Sequence, residues 1–278
     1  VDPLTRSFDQ AAVIDAWEQA VTAVADLGAG MSAEQWQRPS PCPGWTAGDI
    51  VAHTADIESM VGGRPRPEHT PDWSTLPHVS GPFGEFTEVG VDVRRAWAPA
   101  DVVADLRTQI AHRREQLDAV PPGGEVPGLM GDPVPLERLL RTRTFDAWVH
   151  VQDIRAAIEA DGDWDTEAAV VAFQQMAAAL PYVWGKTVKA PPGSSVRITV
   201  TGPDLAADLG AVVGEDGRGV ASAPGDEATV RLECSWPDYM RLSCGRVAPD
   251  DPQVRARVTV TGDPDLAEAL LRGMAITP

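Results

Sequence analysis

Lysine is nearly missing from this 278-residue chain: of its 23 basic residues only Lys186 and Lys189 are lysines. Forty-one acidic residues leave a formal net charge of −18. Such a surplus repels phosphate backbones and anionic lipid headgroups, and no local basic cluster offsets it, so nucleic-acid and membrane-surface partners are not expected. Cysteine is scarce as well. Cys42, Cys234 and Cys244 are odd in number, widely spaced and contain no C-x-x-C pair, which argues against a disulfide framework or a structural zinc knot and fits a reducing compartment. No apolar run approaches the roughly 18–20 residues that a spanning helix needs. The opening VDPLTRSFDQ also lacks the basic-then-apolar order of a signal peptide, so a cytoplasmic protein is expected.

What is present reads as a globular chain. Hydrophobic residues make up 43% and charged residues 23%, too mixed for disorder or a membrane protein, and the length predicts two domains. Apolar positions at Phe8, Val13, Ile14, Trp17, Val21, Val24 and Leu27 have helical spacing. A proline-rich stretch, 38–45, delivers the chain to Thr46, which with Asp49 three residues later resembles a capping box and opens a second helix. Residues 62–92 are rich in Gly, Pro, His and Trp without a sustained period, and read as a long loop suited to a lid or substrate wall. Further helices are predicted from Ala100 to Val120 and from about Pro135 to Ala160. Residues 1–162 are thus expected to form a four-helix bundle. A connecting helix and linker, 163–193, then lead to a change of grammar. "SVRITVTG", "ATVRLECS" and "VRARVTVTG" alternate with period two, and helical patterns recur near 236–244 and 264–275. Residues 194–278 are read as a small α+β domain with an antiparallel sheet.

One constellation carries chemistry. Asp146 and His150 lie four residues apart in "FDAWVHVQDI", roughly 40° apart around a helix axis at about 100° per residue. Side chains at i and i+4 stack on one face, so both can reach a single point. His53, in "DIVAHTADIE", sits among apolar residues on the second helix. Two imidazoles and one carboxylate converging inside a bundle make a three-ligand metal site with an open position, the pattern of a catalytic zinc. The plain alternative is a hydrogen-bonded core histidine at 53 and a local ion pair at 146 and 150. Spacing alone does not choose between them. Cys42 reads as loop packing, with no adjacent base to make it a nucleophile. Asp49 reads as a helix cap before a ligand. Asp153 and Arg155 are candidates for orienting ligands or for tying their helix to the second domain. Asp56 and Glu58 belong to a solvated or supporting face, and His69, His78 and His112 carry no expected chemistry.

"PSPCPGWTAGDIVAHTADIE" and "RTFDAWVHVQDIRAAI" resemble, in order, the two signatures of the DinB-like bundle proteins grouped with mycothiol-dependent maleylpyruvate isomerase. "ALPYVWGKTVKAPPGSSVRITVTG" and "YMRLSCGRVAPDD" are similar to that family's link and its C-terminal domain of the sterol-carrier-protein type. The resemblance spans nearly the whole chain. It implies that His53, Asp146 and His150 hold a divalent metal, usually zinc, that mycothiol is the cosubstrate or cofactor, and that Arg246 reaches the active site to hold a substrate carboxylate; a solvated surface arginine is the alternative for Arg246. Two departures matter. The characterised isomerase carries Glu where this chain has the shorter Asp146, and Val151 stands where relatives often have Glu. The function implied is a metal- and thiol-dependent isomerase or S-transferase acting on a small electrophile, as a monomer or homodimer. The competing expectations are a non-catalytic metal-containing ligand-binding protein and a metal-dependent hydrolase with Asp153 as base.

Overall fold

Asp9 caps the first helix through its side chain, and the apolar stripe of Val13, Ile14, Trp17, Val21 and Val24 is wholly buried along it. The structure, a computed structural model, describes residues 2–225 and 227–277. The chain divides into two compact units. One runs from Phe8 to Asp163, and the other joins the residues up to Ser7 with those from Trp164 onward.

The first unit holds α1 (Gln10–Gly30), the short α2 (Ala33–Trp36), α3 (Ala47–Val61), α4 (Gly81–Arg95), α5 (Pro99–Asp118) and α6 (Leu136–Ala157). A small hairpin of β1 (Glu125–Pro127) and β2 (Pro133–Pro135) precedes α6. Helix α1 packs against α3, α5 and α6, and α3 also packs against α4, α5 and α6. Trp17, Ile50, Leu106, Leu117, Leu140, Trp148 and Ile154 are fully buried between them. The expected loop over 62–92 is partly wrong, because its second half is α4. That helix buries only Glu88, Gly90, Val91 and Arg94, so it shows little apolar periodicity. It is held instead by ion pairs: Arg94 with Asp56 and Asp105, and Arg95 with Asp49 and Glu88.

The second unit begins with α7 (Glu167–Tyr182), which runs into a π-helical turn, Val183–Thr187. Strands β3 (Ser195–Thr201), β4 (Ala207–Val213), β5 (Gly219–Ala221), β6 (Val230–Ser235) and β7 (Thr259–Gly262) form one sheet in the order β5-β4-β3-β6-β7. Helices α8 (Trp236–Ser243), α9 (Pro252–Arg255) and α10 (Pro264–Gly273) complete it. The sheet is not purely antiparallel as expected: β3 and β6 run parallel. After the β3–β4 hairpin and β5 fill one edge, the chain crosses back to the free side of β3 and enters in the same direction. Helix α7 and the π turn pack on β4 and β5, so the segment expected to be a connector belongs to the sheet-bearing unit. Phe173, Trp236 and Tyr239 form its aromatic core, with the Phe173 and Trp236 rings edge to face at 5.3 Å. Among the described residues no helix is long and apolar enough to cross a membrane.

Candidate metal centre

The site is built on two helices whose starts the local sequence determines differently. Thr46 caps α3 reciprocally with Asp49: the Asp49 amide donates to Thr46 Oγ1 at 3.2 Å, and the Thr46 amide donates to Asp49 Oδ2 at 2.9 Å. This satisfies two otherwise orphaned donors and fixes Asp49 as a cap; its other oxygen takes Arg95. His53 follows one turn on. Helix α6 begins at Leu136, directly after Pro135, and is buried without a break from Ala147 to Ile154.

These helices bring His53, Asp146 and His150 together, with one ligand atom from each lying within 4.8 Å of the others. Asp146 divides its carboxylate between the imidazoles: Oδ2 lies 3.8 Å from His53 Nε2 and Oδ1 lies 3.8 Å from His150 Nε2. Zinc–nitrogen bonds of about 2.0–2.1 Å set tetrahedral ligand atoms roughly 3.4 Å apart, so this spacing suits a small divalent ion. Both imidazoles are buried, and the Asp146 side chain is 32% exposed.

The electrostatics suit the same donors. Burial lowers the His53 pKa below its usual value, outweighing the pull of Asp146. A ligand histidine must be neutral, and burial favours the neutral form of this one. Burial works to raise the Asp146 pKa, but Arg143 first, then His150 and His53, hold the carboxyl well below its ordinary range. Arg143 Nη1 donates to Asp146 Oδ2 at 2.8 Å and Nε donates to Glu58 Oε1 at 3.0 Å. Glu58, with 0% side-chain exposure, also accepts the Trp17 indole N–H at 3.2 Å.

Asp153 lies behind His150. Its Oδ2 is 3.0 Å from His150 Nδ1 and accepts the Cys42 thiol at 3.2 Å. The carboxylate on Nδ1 leaves Nε2 as the ring nitrogen facing Asp146 and the cluster, the support that metal-binding histidines ordinarily have. Cys42, His150 and Asp153 are themselves mutually close, but their atoms are joined by these hydrogen bonds. His53 differs. Its Nδ1 is buried without a hydrogen-bond partner among the described residues, and the ring packs on Trp45 with centroids 4.8 Å apart.

Sequence reasoning missed Arg143, Trp45 and Glu88. Arg143 stands three residues before Asp146, a spacing that pairs charges on a helix face and could have been read; the other two depend on tertiary contacts. Arg155 turns to the end of its own helix, with Nε donating to Asp163 Oδ2 at 2.8 Å and Nη1 to the Asp161 carbonyl at 2.7 Å. His69 lies 2.7 Å from Asp92, His78 lies 3.2 Å from Glu88 and His112 lies 3.1 Å from Gln116. Cys234 and Cys244 are buried in the other unit, and burial pushes the Cys234 thiol up to about 12. Arg246 is also in that unit, where Nη1 donates to the Cys244 carbonyl at 2.7 Å and to Thr277 Oγ1 at 3.2 Å.

The model of the mycothiol maleylpyruvate isomerase N-terminal domain matches residues 17–155, half of the chain and the part that carries all three candidate ligands. The chain belongs to the mycothiol-dependent maleylpyruvate isomerase family. It is similar over 91% of its length to the crystal structure of the mycothiol-dependent maleylpyruvate isomerase, with a TM-score of 0.57 at 16% identity, covering 93% of that chain. A histidine-to-alanine variant of that isomerase aligns over the same shares with a TM-score of 0.54 at 14% identity. These likenesses show that this family member shares the isomerase fold. Two uncharacterized Mycobacterium tuberculosis proteins, from strains CDC 1551 and H37Rv, are each 24% identical over 132 residues, covering 48% of this chain and 51% of theirs. The chain spans about half the length of these curated relatives.

Proposed function

We propose that this chain is a metal-dependent enzyme that uses a low-molecular-weight thiol, mycothiol, as cosubstrate and acts as an isomerase or S-transferase on a small electrophile. One observation carries the proposal: two buried imidazoles and one carboxylate meet from two helices, in a family named for a mycothiol-dependent reaction. His53, Asp146 and His150 would hold the ion, zinc in the usual case. Bound there, a divalent ion supplies Lewis-acid stabilisation of a sulfhydryl as thiolate at neutral pH.

The remaining roles belong to the chain's own residues. Asp153 holds His150 with Nε2 toward the cluster. Arg143 offsets part of the Asp146 charge and aims its carboxylate. Asp153 is committed to His150 and Cys42, so it is a poor general base and the hydrolase reading loses its only candidate. Arg246 is proposed to hold a substrate carboxylate, which a guanidinium does bidentately.

The test is conjugation of a generic electrophile with mycothiol. The protein should accelerate it in a thiol-dependent way, His53→Ala should remove the acceleration, and Arg246→Ala should raise KM for a carboxylate-bearing electrophile while leaving bound metal in place. No acceleration with the metal-loaded protein would favour the non-catalytic, ligand-binding reading.

A further inference from the structure

The two candidate imidazoles are supported unequally. His150 has a carboxylate on Nδ1, whereas His53 Nδ1 is buried with no partner among the described residues, so none of them fixes the His53 ring by a hydrogen bond on that side. What touches it is Trp45. The indole lies 4.8 Å from the His53 ring and 6.3 Å from the His150 ring, centroid to centroid, and the two imidazoles are edge to face at 5.0 Å. Trp45 therefore walls the cluster, and whatever holds Trp45 holds the ring of His53.

That anchor is on α4. Trp45 Nε1 donates to Glu88 Oε2 at 2.8 Å. Glu88 is 1% exposed, and its carboxylate is occupied on both oxygens: Arg95 Nη1 donates to Oε1 at 2.6 Å, and His78 Nε2 lies 3.2 Å from Oε2. A buried carboxylate with three charged or polar partners is a rigid acceptor. The backbone entering Trp45 is pinned as well. Gly44 has φ +79°, and a Cβ there would lie 2.1 Å from His78 Cγ, so the His78 ring is seated directly on the turn.

We propose that Glu88 is a positioning residue for the site: it holds the Trp45 indole against His53 and His150, and so sets the orientation of the imidazole whose Nδ1 has no hydrogen-bond partner among the described residues. The segment between α3 and α5 thus acts on the site through His78 and Glu88 acting on Trp45. The orientation of His53 toward a metal rests on the function proposed above; the Glu88–Trp45–histidine contact does not.

The experiment is read on metal-free protein with carbon-13-labelled histidine, where five residues give separable ring signals. The Trp45 ring current should displace the His53 and His150 signals, and Trp45→Leu should abolish that displacement. Glu88→Ala should move both signals most of the way to their Trp45→Leu positions, with His112 unchanged. Glu88→Gln should stay near wild type, because its amide oxygen still accepts the indole N–H. Glu88→Ala signals coincident with wild type, or Glu88→Gln moving as far as Glu88→Ala, would overturn the proposal. Should Glu88→Ala not fold, Glu88→Asp, one methylene shorter, should give a partial displacement, and none would overturn it. Zinc added to the wild type is a separate arm: its failure to move the His53 and His150 signals would remove the metal reading and leave the clamp result standing.

Discussion

Asp146 is the residue on which the site turns, because it is a short acid asked to reach two imidazoles. Arg143 presses on its Oδ2 from one side while each oxygen faces one imidazole Nε2, so the carboxylate is aimed by charge as much as by its helix. Asp153 does the corresponding work for His150. Removing the charge while keeping the shape isolates that work: Asp153→Asn should weaken zinc binding about 10–100-fold, measured by competition with a chromophoric chelator. Unchanged affinity would mean that the Asp153 contact is packing alone. The three candidate ligands could be singled out in the chain because i, i+4 spacing and a histidine in an apolar helix are local patterns, but it was the family resemblance, not the spacing, that implied a metal for them. Their supports were legible only in part. Asp153 was named as a candidate for orienting ligands and Glu58 as part of a solvated or supporting face, whereas Glu88 reaches the cluster only through Trp45, a contact between segments far apart in sequence.

Among the elements, α4 shows most clearly what periodicity misses. The helices α1, α3, α5 and α6 bury apolar stripes and were visible for that reason, within a few residues at each end. Helix α4 instead sets charged residues against α3, and its close approach depends on Gly90, where a Cβ would fall 1.9 Å from Asp56 Cγ. Gly90→Ala should therefore displace Asp56 from Arg94 and lower the thermal midpoint, although alanine is the better helix former by about 0.8–1.0 kcal/mol; a rise in the midpoint would contradict the packing. In the sheet, β3, β6 and β7 were read from alternation, while β4, "ADLGAVV", was hidden by its glycine and its polar start. The parallel β3–β6 pairing is a property of chain path, not of either strand. At the start of α8, Asp238 is buried, accepts Arg257 Nε and Nη2, and bonds the Ser235 hydroxyl. Burial pushes its pKa up, but these partners hold it below the usual carboxylate value. A folded pKa below the unfolded value of about 3.9 gives stability that is full above that pH and lost as pH falls through the folded value. Asp238→Asn should thus be less stable than wild type at pH 7, with the gap closing below about pH 4 in urea titrations; a gap independent of pH would remove the carboxylate's role.

For the whole molecule, the excess of acid over base is a solubility and partner statement and leaves the fold to the two cores. The helical unit carries the family match and every candidate ligand, so the central claim can be tested without knowing the substrate. The claim is that His53, Asp146 and His150 form one divalent-metal site. The direct measurement is elemental analysis of protein purified without added metal, alongside His53→Ala and His150→Ala variants shown to be folded. The expected result is about one equivalent of a divalent metal, zinc foremost, in the wild type, with little or none in either variant. Full occupancy retained in both variants would contradict it.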